Sequence, residues 1–205
     1  MTPVPPAPGA LADLVPDSAA AALALEVAGR FCSPALLAHS CRSYLWAAEY
    51  GRSRGIAFDA ELLYVAAMLH DIGLVPVFDS ATVPFEETGG AVAWVFAAGA
   101  GWEAARRDRA AAVIVAHMAD EVDPAADPEG HLLELATGLD VSGRRPEDWP
   151  AAFRTEVLTR YPRQGLAEEF LGCFSEQARR KPASRAGRFV AGGFAERVRA
   201  NPLDG

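Results

Sequence analysis

Helix start and stop signals recur along this sequence, while the alternation of apolar and polar residues that marks β-strands is nearly absent. Ser33 with Pro34, and Asp127 with Pro128, each put a side-chain oxygen at an N-cap and a proline in the first helical turn. Asp59 is a third N-cap, and glycines follow several apolar segments as stop signals. The pattern predicts an all-α protein folded as a single-domain helical bundle.

The segment boundaries follow from these signals. The predicted helices cover residues 17–31, 34 to 51 or 55, 59–71, 87–98, 103–117, 128–141, 150–159 and 166–180. A proline-rich start predicts a disordered lead-in over residues 1–16, followed by one helical domain over 17–181. Residues 182–205 are expected to be a tail with a weak helix and a loose end.

Composition excludes several classes of function. The 205 residues carry a net charge of −8, which argues against sequence-independent nucleic-acid binding because that needs a basic face. The three cysteines form no CxxC pair, which favours a reducing compartment. We see no signal peptide and no apolar stretch of bilayer length, so we expect a cytoplasmic protein with no membrane partner. Oligomeric state is open, with a homo-oligomer possible.

The most apolar predicted helix ends in two ionisable residues. Within "AAMLHDIGL", residues 66–74, His70 and Asp71 are adjacent in otherwise apolar surroundings. Buried ionisable groups cost several kcal/mol unless they are paired or bound to a metal. A bound metal ion would neutralise Asp71 and use the lone pair of His70, although a helix cap beside a surface charge would give the same dipeptide.

Other candidate ligands fall at the same end of the predicted bundle. His39 lies near the start of the second helix, which should pack antiparallel to the helix ending at His70 and Asp71. His117 ends the fifth helix, and Asp140 lies in the last turn of the sixth. Imidazole and carboxylate groups are good ligands for zinc, manganese and iron. The topology therefore favours a metal site. The competing interpretation is that each of these residues is a separate core or capping group.

Charged residues beside these ligands suggest a contact with an anionic substrate. Arg42 lies one turn beyond the first histidine, and Arg144 and Arg145 follow Asp140. These arginines could clamp a phosphate, although arginine is most often a solvated surface charge. His131 serves as an internal control, because it lies about 180° around the predicted helix from Asp140 and should point away from the site.

The series His39, His70, Asp71 and Asp140 resembles the HD-domain superfamily of metal-dependent hydrolases. The segments "FDAELLYVAAMLHDIGL", "PFEETGGAVAWVF", "VIVAHMA", "LLELATGLDVSG" and "RYPRQGL" are similar to the cyanamide-hydratase-like branch of that superfamily. The resemblance spans roughly residues 30–170 and implies an HD-type helical bundle.

The resemblance also implies a ligand set and further site residues. It implies one divalent ion held by the four residues of the series, with zinc preferred over manganese or iron. His117 matches an active-site histidine that either ligates a metal or contacts substrate. Glu86 matches a position near the substrate pocket, although it could equally cap the fourth helix. The chain has four histidines and no His-His pair, which favours a single ion.

The predicted function is metal-dependent hydrolysis or hydration of a small-molecule substrate. Metal-activated water would attack the substrate, for which cyanamide or a related nitrile is the candidate, with Asp71 or His117 handling protons as catalytic residues. A phosphohydrolase acting on a nucleotide or other phosphate ester, with Arg42 on the phosphate, is the first alternative. A non-catalytic metal-stabilised binding domain is the second. An iron oxygenase is disfavoured because the histidines of a second metal site are missing.

Overall fold

The computed structural model describes residues 11–204 and folds them into ten α-helices without a strand in that range. The helices are α1 Ala19–Phe31, α2 Pro34–Arg54, α3 Ala60–Leu69, α4 Phe85–Gly99, α5 Ala104–Ala116, α6 Pro128–Ser142, α7 Ala151–Arg160, α8 Leu166–Arg180, α9 Arg185–Ala191 and α10 Phe194–Arg199. The predicted all-α class is confirmed. Within the same residues, no helix combines the length and apolar character needed to cross a bilayer.

The predicted capping residues begin and end the helices as expected. The side chains of Ser33, Asp59 and Asp127 each accept a hydrogen bond from the backbone N–H three residues further on. Gly55 and Gly143 follow α2 and α6 in the left-handed conformation, with φ of 67° and 66°. Because glycine adopts this conformation without steric strain, both positions end their helices cleanly.

Helix α3 lies at the centre of the fold. It contacts α1, α2, α4, α5 and α6, and residues 62–69 are all buried. A helix that is apolar on every face is stable only when other helices surround it. The residues that follow the C-terminal end of α3 therefore lie in the interior of the bundle.

The C-terminal end of α3 differs from the prediction. The helix was expected to continue to Asp71, but it ends at Leu69 with His70 as its C-cap. Asp71 leaves the helical conformation, with φ −101° and ψ 7°, and a 3₁₀ turn over Ile72–Leu74 follows. This change of backbone direction brings the His70 and Asp71 side chains together, with Nε2 and Oδ2 3.0 Å apart.

A glycine allows α4 to pack directly on this turn. A Cβ atom at Gly73 would lie far inside van der Waals contact with the carbonyl oxygen of Phe85, the first residue of α4. The backbone of Gly89, one turn further along α4, approaches the carbonyl of His70. The absence of side chains at both glycines therefore fixes how closely α4 approaches the residues that follow α3.

The predicted lead-in lies partly outside the described residues, since it covers residues 1–16 and the structure describes the chain from residue 11. Residues 11–16 include a 3₁₀ turn at Ala12–Leu14, and Leu11 and Leu14 are buried in the core. The hydroxyl of Tyr44 donates a hydrogen bond of 2.5 Å to the carbonyl of Leu14. This part of the segment packs onto the bundle.

The C-terminal segment also folds onto the bundle, where a weak helix and a loose end were expected. Helices α9 and α10 are followed by a 3₁₀ turn at Pro202–Asp204, and Phe194, Val198 and Leu203 are buried. Asn201 donates a hydrogen bond of 2.9 Å to the backbone carbonyl of Asp140 at the end of α6. The segment is thus anchored beside the predicted ligands.

Candidate metal centre

His39, His70 and Asp71 form a compact buried group, which we call the His-His-Asp cluster. Nε2 of His39 lies 3.0 Å from Nε2 of His70 and 3.2 Å from Oδ2 of Asp71. Relative exposures are 0%, 0% and 2%, so bulk water does not solvate these atoms. Helix α2 contributes the first residue of the cluster, and the turn after α3 contributes the other two.

The hydrogen-bond partners of the two imidazoles fix which nitrogen carries a proton. Nδ1 of His39 faces a carboxylate oxygen of Asp140 at 2.7 Å, and Nδ1 of His70 faces the carbonyl of Ala67 at 2.7 Å. Carboxylate and carbonyl oxygens only accept, so both Nδ1 atoms are donors, and each ring in its neutral form presents an Nε2 lone pair. Oδ2 of Asp71 is buried without a hydrogen-bond partner among the described residues.

With both rings neutral, the cluster brings three acceptor atoms together with no donor between them, and that arrangement fits a divalent cation. Ligand atoms about 2.0–2.2 Å from a common ion lie about 3 Å apart, which matches the spacing of the cluster. Two imidazoles and one carboxylate suit zinc, manganese or iron. The predicted ligands His39, His70 and Asp71 are therefore brought together, whereas Asp140 has a different position.

Asp140 lies behind His39, on the Nδ1 edge of the ring. Its Oδ1 accepts hydrogen bonds from Nε of Arg42 and Nε1 of Trp46, at 2.8 and 2.9 Å. Its Oδ2 accepts from Arg42 at 2.7 Å and from His39. Both oxygens are occupied away from the cluster, so in place of the predicted metal ligand the structure has a carboxylate that orients His39.

Arg42 is likewise committed within the protein. It is fully buried, and besides Asp140 its guanidinium donates to the carbonyls of Tyr161 and Pro162, each at 3.1 Å. It does not line the cavity beside the cluster. Arg42 therefore holds Asp140 and does not make the predicted substrate contact. Because Arg42 lies one turn after His39 on α2, both side chains can reach the same carboxylate.

Electrostatics within the buried group follow from these contacts. Burial raises the pKa of the Asp71 carboxyl, but His70 and His39 outweigh it and hold that pKa well below its ordinary value. Burial also raises the pKa of Asp140, but the guanidinium of Arg42 and the hydrogen bond from His39 outweigh burial. The pKa of Asp140 therefore also lies below its ordinary value. Both carboxyl groups are therefore ionised, as a cation-binding site requires.

His117 joins the cluster from the end of α5. Its ring meets that of His70 edge-on, with centroids 4.9 Å apart, and its Nε2 lies 3.8 Å from Oδ1 of Asp71. Nδ1 of His117 donates to the carbonyl of Ile114, which leaves Nε2 with a lone pair. Burial, followed by the proximity of His70, lowers its pKa to about 3, so the ring is neutral at pH 7.

Three further sequence candidates, Glu86, His131 and Arg145, lie away from the cavity lining. Glu86 is buried in the first turn of α4, and its Oε2 has no hydrogen-bond partner in the described part of the chain. Burial raises the pKa of its carboxyl. His131 hydrogen-bonds through Nδ1 to the carbonyl of Val122, at 2.8 Å. Arg145 pairs with Asp148, at 3.0 Å.

A cavity of about 180 Å³ opens directly above the cluster. One side, which we call the aromatic wall, consists of Phe170, Phe174, Phe189 and Phe194. The mouth, which we call the rim, carries the charged residues Asp120, Glu134, Arg144 and Arg197. Helices α8 to α10 supply the aromatic wall, so the C-terminal segment completes the cavity.

Sequence reasoning missed several of these residues. Phe170 and Phe174 are four residues apart on α8, a spacing that predicts one helix face but not what that face lines. Trp46 and Arg163 also escaped notice, although Arg163 reaches both the backbone carbonyl of Asp140 and the carboxylate of Asp204. The contact of Arg163 with Asp204 depends on how the C-terminal segment folds back, and that of Trp46 with Asp140 depends on how α6 packs on α2. Local patterns encode neither.

Fold and site together define a class: an all-helical domain built around a buried histidine–aspartate cluster that fits a metal ion. A model of the HD domain family matches residues 36–140, just over half of the 205 residues. The chain therefore belongs to the HD domain family, whose members are generally metal-dependent hydrolases. The matched segment runs from just before His39 to Asp140. A comparison of the sequence with curated proteins finds no match.

Proposed function

We propose that this protein is a metal-dependent hydrolase or hydratase that acts on a small, uncharged molecule. The observation that carries the proposal is the convergence of three buried acceptor atoms, from His39, His70 and Asp71, at the floor of a cavity. Such an arrangement is unfavourable without a cation and chemically useful with one. Membership of the HD domain family supports the same reaction class.

The residues of the cluster have separate tasks in this proposal. His39, His70 and Asp71 would hold a divalent ion, which would lower the pKa of a water toward neutrality and polarise an adjacent electrophile. Asp140 keeps His39 in the tautomer that offers Nε2. His117, whose Nε2 lies 3.8 Å from Oδ1 of Asp71, accepts a hydrogen bond from the water or the substrate. The aromatic wall keeps competing water away from the electrophile.

The substrate proposed is a small nitrile, with cyanamide as the simplest case. Hydration adds one water across the C≡N bond, oxygen to carbon and hydrogen to nitrogen, and yields an amide, or urea from cyanamide. The cavity of about 180 Å³ is smaller than the 300–1,000 Å³ typical of sites for drug-sized ligands. Two arginines and two acidic residues balance the charge of the rim, which suits a neutral molecule.

One observation favours a phosphate ester instead. Arg197 on the rim donates to the carbonyl of Gly192 and forms no ion pair within residues 11–204, whereas Arg144 pairs with Glu134. A guanidinium without an ion-pair partner at the mouth could use its other donors to hold a phosphate. We rank this second because neither buried arginine near the cluster, Arg42 or Arg163, faces the cavity with an unused donor.

A metal analysis combined with a substrate screen tests both candidates. The purified protein should contain about one divalent ion per chain and should hydrate cyanamide or acetonitrile faster than it hydrolyses p-nitrophenyl phosphate. Asp71→Asn should abolish turnover, and His131→Ala should leave it unchanged. For a phosphate ester, Arg197→Gln should lower activity at least about tenfold, because a charge-assisted hydrogen bond contributes about 1.5–3 kcal/mol. Bound metal without turnover on any of these substrates would favour the non-catalytic binding domain.

A further inference from the structure

The aromatic wall forms a continuous series of rings that begins at the metal cluster. Phe170 meets the ring of His39 edge-on, with centroids 5.0 Å apart. Phe174 is stacked on Phe170 at 5.6 Å and on Phe194 at 4.5 Å, with interplanar angles of 24° and 19°. Phe189 continues the series beyond Phe194 at 6.4 Å and 24°. These four rings are nearly parallel from neighbour to neighbour and all line the cavity.

The fixed positions of these rings limit the shape of any molecule that fills the cavity. Phe170, Phe174 and Phe194 are each no more than 5% exposed, so their packing inside the protein holds them in place. A second ring pair, Phe85 against Phe174 at 5.5 Å, supports the wall from behind. Aromatic surfaces prefer offset-stacked or edge-to-face contacts with other flat groups. Neighbouring rings cover the faces of Phe174 and Phe194, so the edges of these two rings line the cavity. The wall thus favours a planar group that offers its face to those edges over a branched or extended one.

Cavity size narrows the choice further. An apolar cavity of about 150 Å³ is large enough to bind benzene, so about 180 Å³ admits one six-membered ring with a small substituent. It is too small to enclose a whole nucleotide. Because the wall is apolar and the rim is charge-balanced, neither region favours a net charge on that ring.

We propose that the substrate carries an aryl-sized planar apolar group that packs on Phe174 and Phe194, with its reactive neutral group directed at the His-His-Asp cluster. The proposal rests on the proposed function, since it names the substrate class of the same site. Phe170, Phe174 and Phe194 are then specificity-determining residues. Cyanamide, which has no ring, would use the metal centre but leave the wall without a partner.

Binding of amide probes to the metal-loaded protein tests the shape of the site independently of turnover. Burying a phenyl ring contributes about 1.5–3 kcal/mol, so benzamide should bind at least about tenfold more tightly than acetamide in calorimetric titrations. Phe194→Leu keeps an apolar side chain and removes the ring, and it should weaken benzamide binding about three- to tenfold. Phe31→Leu is the matched control, because Phe31 pairs with Phe78 outside the cavity lining.

The results separate this inference from the proposed function. Turnover of benzonitrile with a higher kcat/KM than cyanamide, lost selectively in Phe194→Leu at unchanged metal content, supports both. Turnover of cyanamide together with equal binding of benzamide and acetamide overturns the aryl proposal and leaves the hydratase standing. Tight, Phe194-dependent benzamide binding without turnover of any nitrile supports the proposed shape of the site and overturns the hydratase. If Phe174→Leu and Phe194→Leu both bind benzamide as the wild type does, the aryl proposal fails.

Discussion

At the scale of single residues, the site depends on which edge of the His39 ring each partner occupies. The cluster lies on the Nε2 edge, and Asp140 lies on the Nδ1 edge with Arg42 and Trp46 behind it. A carboxylate in that place fixes the tautomer and the orientation of the ring, and it raises the basicity of the nitrogen that binds the ion. Asp140 therefore acts through His39.

This position of Asp140 predicts a graded effect of substitution. Asp140→Asn should lower metal affinity about 10–100-fold, because the side chain that orients His39 loses its charge while the ion keeps all three cluster ligands. Asp71→Asn, which alters a cluster atom, should have a larger effect. Competition titrations with a chromophoric chelator measure both, with His131→Ala as the control. Equal losses in the two variants would mean that Asp140 ligates the ion directly.

Residue identity predicted the members of the site better than their roles. His39, His70 and Asp71 were predicted as ligands, and their atoms do converge, because the antiparallel packing of α2 and α3 follows from a short connection. The role of Asp140 depends on the side from which α6 approaches one imidazole ring. That side is set by Arg42, Trp46 and the packing of α6 on α2, none of which the spacing of the ligands specifies.

At the scale of elements, the turn after α3 is held between the central helix and the first turn of α4. Its close packing depends on Gly73, since the Phe85 carbonyl fills the space that a side chain would need. The helices themselves were predictable, because N-caps and glycine stops act locally. The paths of α9 and α10 were not, because their few buried residues gain stability only from contacts with distant helices.

Gly73→Ala should destabilise the protein by about 1–3 kcal/mol, because the added methyl group must push α4 away from the turn. Since about 1 kcal/mol shifts the thermal midpoint of a chain of this size by about 2–4 °C, the change is measurable by calorimetry. Gly172→Ala is the control: a Cβ there meets no atom within 4 Å, and its position inside α8 predicts slight stabilisation. A midpoint unchanged by Gly73→Ala would show that the turn and α4 are not rigidly coupled.

At the scale of the whole molecule, the cluster is both a reactive site and a charged defect in an apolar interior. Helices α2, α3 and α5 all direct polar groups to one buried point, where the Asp71 carboxylate meets the Nε2 atoms of His39 and His70. A cation that satisfies these groups must stabilise the folded chain, since the unfolded chain has no such assembled site.

Removing the metal should therefore lower the thermal midpoint of the whole protein. At a free zinc concentration of 100 times Kd, binding adds about 2.7 kcal/mol, which corresponds to about 5–10 °C for a chain of this length. Scanning calorimetry of chelator-treated and zinc-reloaded protein measures the difference. In Asp71→Asn the two scans should coincide. If the wild-type scans also coincide, the cluster does not hold a metal that contributes to folding.

The covering of the cavity by α8 to α10 has a consequence for the order in which the protein is made. The cluster residues and Asp140 precede Arg185, the first residue of α9, by 45 positions or more along the chain. At about 5–20 residues per second, a ribosome needs about 2–9 s to translate those 45 codons. A nascent chain can therefore assemble the cluster while the cavity still lacks the wall contributed by α9 and α10. Metal can reach the cluster from the open side during translation, before the last helices restrict its path.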